Sequence, residues 1–231
     1  MEIRNILDYI YPPRCPVCDG ISTRGICDTC KKSLVCITDT YCMKCGKPLE
    51  EEQEEYCADC KKRTHYFEQG RALYSYQGQL RTSLYRLKYA NRREYAVVYG
   101  REMAKYLGRW IRRVRISRIV PVPLHPSRQR KRGYNQAALL AREIGRQLDI
   151  QVDQKLLHRV KKTEAQKSLT GQERRKNLSQ AFQVRGEIFP GERILLVDDI
   201  YTTGATADAA ARCMRQSGRC LVFVVSAAIG G

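Results

Sequence analysis

Ile194-Leu195-Leu196-Val197-Asp198-Asp199-Ile200-Tyr201-Thr202-Thr203-Gly204-Ala205-Thr206 joins a short aliphatic run to two adjacent carboxylates and a hydroxyl-rich turn. The run shows no alternation of polar and apolar residues, so it reads as a parallel strand buried on both faces. The aspartates fall at its C-terminal end, the edge where open α/β sheets bind ligands. Thr202, Thr203, Gly204, Ala205 and Thr206 then lead into an alanine-rich helix over 205–215, which turns backbone N–H groups and a helix N-terminus toward the loop. The result is an anion cradle with an acidic rim. A phosphate in the turn and a diol, or a diol-bound divalent cation, on the aspartates would use every part of it. A plain strand-to-helix junction with one cap residue is the competing reading, and it leaves most of these residues unexplained.

The chain has 231 residues, enough for one ordinary domain and a small module. No run of 18 apolar residues occurs, so no membrane span is expected. The start lacks a charged leader followed by an apolar block and does not read as a secretion signal. Ile3, Ile6, Leu7 and Ile10 follow helical spacing up to Pro12-Pro13, which predicts an anchor helix. Its polar face is not markedly basic, which argues against a membrane-surface helix.

Eight of the 11 cysteines form four C-x2-C pairs: Cys15/Cys18, Cys27/Cys30, Cys42/Cys45 and Cys57/Cys60. In a reducing cytosol such pairs favour metal over disulfides. Two pairs close a tetrahedron of four thiolates around zinc, with no open position for catalysis, so two structural zinc ions are expected. Sequential pairing suits two small ribbons in series, and an interleaved cross-brace is the alternative. A redox C-x-x-C is disfavoured by four tandem copies. Cys36 reads as an apolar filler or a replacement ligand, and Cys213 and Cys220 as core residues of the last helix and strand.

Residues 1–63 hold 10 Lys+Arg against 11 Asp+Glu, whereas 64–231 hold 32 against 13. The positive charge therefore belongs to the second region and points to a polyanion or an acidic partner. Between Arg101 and Arg132 there are 11 basic residues and one acid, Glu102. A helix over 96–114 places Met103, Ala104, Leu107 and Ile111 on one face, leaving Lys105, Arg109, Arg112 and Arg113 elsewhere as a solvated or polyanion-binding surface. The acidic run at 50–55 reads as a solvated loop tip.

A strand at 118–122 ends in proline punctuation and is followed by a basic loop, 127–136, and a helix over 137–148. Strand, loop and helix make one βα unit, and a last strand at 221–225 follows another crossover, so a parallel sheet is expected. The segment 159–182 carries Thr163, Gln166, Leu169, Arg174, Arg175 and Asn177 with little apolar content. It reads as a basic flap able to close over an intermediate, or as a surface insertion. Most of the 14 tyrosines read as half-buried packing residues, although Tyr85, Tyr89, Tyr95, Tyr99 and Tyr106 lie among cations that could accompany base stacking. His125, beside the basic loop, reads as turn packing or a phosphate contact.

The acidic strand end and T-T-G-A-T turn resemble the phosphoribosyl-pyrophosphate (PRPP) loop of type I phosphoribosyltransferases. Together with the tandem C-x2-C pairs, Leu87-Lys88-Tyr89, V-P-V-P-L-H-P with R-x3-R-G-Y-N-Q at 120–136, R-x6-Q-x2-L at 159–169 and R-x2-N at 174–177, they make the whole chain similar to the ComF family of competence-associated, phosphoribosyltransferase-like proteins. The resemblance implies an α/β fold of parallel sheet and flanking helices carrying an N-terminal double zinc ribbon, divided into residues 1–66 and 67–231. It further implies ribose on Asp198 and Asp199, its 5′-phosphate on Thr202, Thr203, Gly204, Ala205 and Thr206, and pyrophosphate or polyanion on Lys88, Arg128, Arg132, Arg159 and Arg174. Magnesium with PRPP, single-stranded DNA and a competence helicase or ATPase are the implied ligands and partners, and the cytoplasm the implied location. Two activities follow from it: a DNA-uptake protein that keeps the PRPP fold, or an active phosphoribosyltransferase acting on an unidentified nitrogenous acceptor outside competence.

Overall fold

A computed structural model of the chain describes residues 12–38, 40–161 and 180–230. The helix expected over 3–10 and the flap residues 162–179, Arg174 among them, lie outside the described residues.

Two short helices, α1 (Asp28–Ser33) and α2 (Ala58–Lys61), belong to the cysteine-rich region. They are followed by β1 (Gln69–Ser75), α3 (Gly78–Tyr89), α4 (Glu94–Arg113), β2 (Arg118–Pro121), α5 (Pro126–Arg132) and α6 (Gln136–Leu148). The chain continues through β3 (Leu157–Arg159), β4 (Phe182–Val184), β5 (Arg193–Tyr201), α7 (Ala205–Ser217) and β6 (Leu221–Ile229). The main sheet has the order β1-β6-β5-β2 and every pairing in it is parallel. Such a sheet needs helices on both faces, because its strands are apolar on both. Leu195 and Val197 of β5 face Tyr99, Met103, Leu140 and Ile144 of α4 and α6, while Ile194 and Leu196 face Ala210 and Met214 of α7. β3 and β4, which precede and follow residues 162–179, pair antiparallel.

The cysteine-rich region straddles the β1 edge of this sheet. The linker between its halves runs antiparallel beside β1, with Ile37 N–H donating to Leu73 C=O (3.0 Å) and Ser75 N–H donating to Val35 C=O (2.9 Å). An otherwise open edge is thereby paired. Cys15, Val17, Ile26 and Cys30 join the core on the α4 face, and Cys42 and Cys45 join the core on the α7 face. Cys36 packs in the linker against the first of these cores. Gly46 lies so close to β1 that a Cβ there would stand 2.8 Å from Gly70 C=O. Only glycine lets this knuckle seat on the strand.

Two expectations change. The basic stretch after β2 is not a loop: Pro126 opens α5 at its first turn, His125 caps it by accepting from Ser127 N–H at 3.3 Å, and Gly133 closes it with φ of 80°. The density of charge hid a helix with signals at both ends. The aspartates are not at the strand end either. The strand runs on to Tyr201, because the apolar tail of β6 continues alongside it, pairing Ile200 with Ala228 and Tyr201 with Ile229. Cys213 lies in α7 as expected, whereas Cys220 stands one residue before β6.

Candidate functional site

Asp198 and Asp199 are successive residues of β5, so their side chains start from opposite faces of the sheet, although Asp198 turns back far enough for the two carboxyls to interact and for its Oδ1 to accept from Asp199 N–H at 2.8 Å. Asp199 is 3% exposed. Its Oδ2 lies 2.5 Å from Lys88 Nζ, at the end of α3, and its Oδ1 accepts from Gln136 Nε2, at the start of α6, at 3.1 Å. Burial favours the neutral carboxyl, but the Lys88 ammonium outweighs it and holds Asp199 below the ordinary carboxylate range. Burial likewise opposes charge on Lys88, and Asp199 raises it above the usual lysine value. Asp198 is half-buried; burial and the neighbouring Asp199 charge push its carboxyl up. The pair is therefore unequal: Asp199 is anchored as an anion, and Asp198 binds a proton more readily.

Asp198 lines a cavity of about 40 Å³ with Ile200, Thr202, Thr203, Gly204 and Thr206. Gly204 is the N-cap of α7 with φ of 74° and offers no side-chain acceptor; Ala205 N–H reaches Thr203 Oγ1 only at 3.5 Å, so the first turn of the helix still faces the cavity with N–H groups suited to an anion. A Cβ on Gly204 would run into Tyr201 Oη. Both the turn and the packing of Tyr201 exclude any other residue there.

On the far side of Asp199, Lys88, Arg128, Lys131 and Arg132 line a cleft of about 540 Å³ together with Tyr89, Asn91 and Tyr134. Arg132 stacks over Tyr89 at 5.0 Å and also donates to Gln136. Arg159, at the end of β3, is held below its ordinary value first by burial and then by Arg128, with Asp198 acting in the opposite sense. The structure thus gathers Asp198, Asp199, Lys88, Arg128, Arg132, Arg159 and the 202–206 turn at one sheet edge. His125 serves the α5 cap.

The cysteines separate into Cys15, Cys18, Cys27, Cys30 and Cys42, Cys45, Cys57, Cys60, each set with its sulfurs within 4.8 Å of one another. Sequential pairing is what forms. Burial opposes thiolate at Cys15, yet backbone N–H groups of Cys18, Cys27 and Val17 bring it down to about 7. Cys42 reaches about 7 against the same penalty, through backbone N–H groups of Cys45, Cys57 and Lys44. Burial pushes Cys30, Cys45 and Cys60 up instead, so it is the gathering of four sulfurs in each set that fits tetrahedral zinc. Two four-cysteine sites suit two zinc ions.

Three residues escaped the sequence reading. Gln136 sits in a motif that sequence analysis singled out, but its hold on Asp199 needs the third dimension. Tyr201 read only as the end of an apolar run, and His65 carried no signal beyond being isolated. Among the tyrosines, Tyr95 and Tyr99 are fully buried as packing residues, while Tyr85 and Tyr89 are 62% and 64% exposed, their rings in tilted contact with centroids 4.8 Å apart.

The family model described as Double zinc ribbon domain matches residues 6–61. Competence protein F of Haemophilus influenzae is 33% identical over 89% of this chain and 92% of its own length. Competence protein ComFC of Bacillus subtilis is 28% identical over 84% and 79% respectively, and the DNA utilization protein YhgH of Escherichia coli K12 is 29% identical over 87% and 88%. Among solved structures, adenine phosphoribosyltransferase from Leishmania donovani overlaps 54% of this chain and 52% of that one, at 19% identity and a TM-score of 0.33. That overlap is too partial to bear on the site. The likeness to competence protein F runs through both the cysteine-rich region and the sheet, and the chain belongs to the ComF family of competence proteins.

Proposed function

We propose that the cavity and the cleft together bind PRPP: phosphate on the turn from Thr202 to Thr206, ribose at Asp198, and pyrophosphate among Lys88, Arg128, Arg132 and Arg159. The observation that carries this reading is the 2.5 Å contact between Lys88 and Asp199. Lys88 lines the cationic cleft, and its partner Asp199 is the chain neighbour of Asp198, which lines the cavity with the turn, so a phosphorylated sugar bearing a pyrophosphate finds a group for each of its parts. The carboxylate of Asp198, which lines the cavity, also suits magnesium, which neutralises pyrophosphate charge when it enters with the ligand. The chain's own part is positioning and charge stabilisation.

The biological role in this proposal is the uptake and processing of single-stranded transforming DNA in the cytoplasm, alongside a competence helicase or ATPase. Names of the relatives, the basic excess of residues 64–231, and the exposed Tyr85–Tyr89 pair beside Arg132 support it. Aromatic faces stack bases while cations follow the phosphates. Single-stranded DNA is expected to bind with an affinity that falls linearly in log–log terms as salt rises, with a slope of about −0.7 for each phosphate contacted. Reversing charge at Arg128, Arg130, Lys131 and Arg132 should weaken binding to every sequence and flatten that slope. Salt-insensitive binding in a filter or anisotropy assay contradicts this.

A second reading, an active phosphoribosyltransferase with a nitrogenous acceptor outside competence, is favoured by the cleft itself. Its volume lies in the small-molecule range of about 300–1,000 Å³, and Tyr89 and Asn91 stand among its cations. Pyrophosphate release from PRPP separates the two: binding without release supports the accessory role, and acceptor-dependent release supports the enzyme.

A further inference from the structure

His65 lies between the second four-cysteine site and the phosphate turn. It is 6% exposed, on the segment between α2 and β1. Its Nε2 stands 3.4 Å from Cys60 Sγ and its Nδ1 stands 2.8 Å from Asp208 Oδ2. Asp208, in the first turn of α7, uses its other oxygen to accept from Tyr66 N–H at 3.0 Å, and its own N–H donates to Gly204 C=O at 2.8 Å. An acid in a first helical turn needs only the helix dipole to be favourable. Here both carboxylate oxygens instead reach outward to the segment that leaves Cys60.

A second connection runs in parallel. The His65 ring packs on Phe67 with centroids 4.8 Å apart, Phe67 meets Tyr201 edge-on at 6.3 Å, and Tyr201 fills the space beside Gly204. The first four-cysteine site has different company. Asp19, next to Cys18, pairs with Arg92 at 2.9 Å and accepts from Tyr95 Oη at 2.5 Å, while Pro16 C=O accepts from Ser83 Oγ. Those bonds go to α3, α4 and the connection between them, and none goes to the 202–206 turn.

We propose that His65 is a positioning residue shared by the two sites: its Nδ1 holds the 202–206 turn through Asp208, and its Nε2 steadies Cys60 of the second four-cysteine site. The inference rests on the PRPP reading of the turn. Outer partners of metal-ligating groups change metal affinity by about 10- to 100-fold when removed, and the same contact here reaches the turn through Asp208.

Two variants of the full, zinc-loaded chain separate the halves of the link. In His65→Gln the amide reaches the Nε2 position and keeps Cys60 but not Asp208; in His65→Asn it reaches the Nδ1 position and keeps Asp208 but not Cys60. The expected result is that His65→Gln weakens PRPP binding by about tenfold with zinc release to a chelator unchanged, whereas His65→Asn releases the second zinc about tenfold faster and binds PRPP normally. Amide exchange at 202–206 should quicken in the Gln variant alone. Equal losses in both variants would reduce His65 to a packing residue and overturn the proposal, as would unchanged affinity and exchange in His65→Gln. Absence of PRPP binding by the unmodified chain sinks the PRPP reading instead, and the exchange rates then still decide whether His65 holds the turn.

Discussion

Asp198→Asn combined with Asp199→Asn is expected to abolish PRPP binding while the chain stays folded. Asparagine keeps the volume of each side chain but removes both charges. Loss of two charge-assisted interactions costs about 4 kcal/mol, on the order of a thousandfold in affinity. The two carboxylates contribute differently. Asp198 lines the cavity with the turn, so Asp198→Asn alone acts directly on the ligand. Asp199→Asn acts through Lys88, which loses the partner that anchors it. Lys88 borders the open cleft, so its ammonium reaches water and folding survives the change. Calorimetry with PRPP and magnesium, beside circular dichroism, checks both parts. Unchanged affinity in the folded double variant contradicts the site.

The same inequality sets a pH dependence. Asp198 has a carboxyl raised by burial and by the Asp199 charge. Below its raised value it carries a proton and cannot hold a diol or a cation; above it the carboxylate is available. PRPP affinity should therefore climb with pH through a range displaced upward from that of an ordinary aspartate. Asp199→Asn removes the neighbouring negative charge and should move this rise to lower pH. An upward move in a calorimetric pH series contradicts the assignment of cause.

Removing zinc is expected to have the largest effect on stability. Two ions per chain are predicted, each closed by four thiolates, and structural zinc in small domains is worth about 10–16 kcal/mol of folding free energy. Residues 12–61 contribute few large apolar side chains of their own: among those described, Val17 and Ile26 are the buried aliphatic ones. Their contacts with both faces of the sheet should spread the damage, so chelation is expected to lower the melting temperature of the whole chain. Cys15→Ser should lose one ion and loosen the α4 side while PRPP binding survives. Metal analysis gives the count: one ion per chain would mean that a ribbon is degenerate, and none would overturn the role of the eight cysteines.

Much of this architecture was legible in the chain itself. The unbroken apolar run before Asp198 could only be a strand covered on both sides, and the four C-x2-C pairs fixed the metal chemistry. Their spacing suited sequential pairing but left an interleaved cross-brace open, and only the placement of the sulfurs in two sets decides between them. The sequence was less informative where a residue's role depends on its neighbour across space. Nothing local to Asp198-Asp199 shows that strand alternation sends them to different partners, or that Gln136 and Lys88 meet at one carboxylate. α5 was obscured because a run of arginine and lysine resembles a solvated loop until its capping residues are weighed. His65 was opaque for the same reason as Gln136, since Asp208 lies 143 residues away.

The most direct test is a titration of the zinc-loaded chain with PRPP and magnesium, repeated with Asp198→Asn. A site built from the 202–206 turn, the acidic strand and the Lys88 cleft predicts saturable binding at one PRPP per chain that disappears in the variant. No binding to the unmodified chain, or equal binding by both, would contradict it.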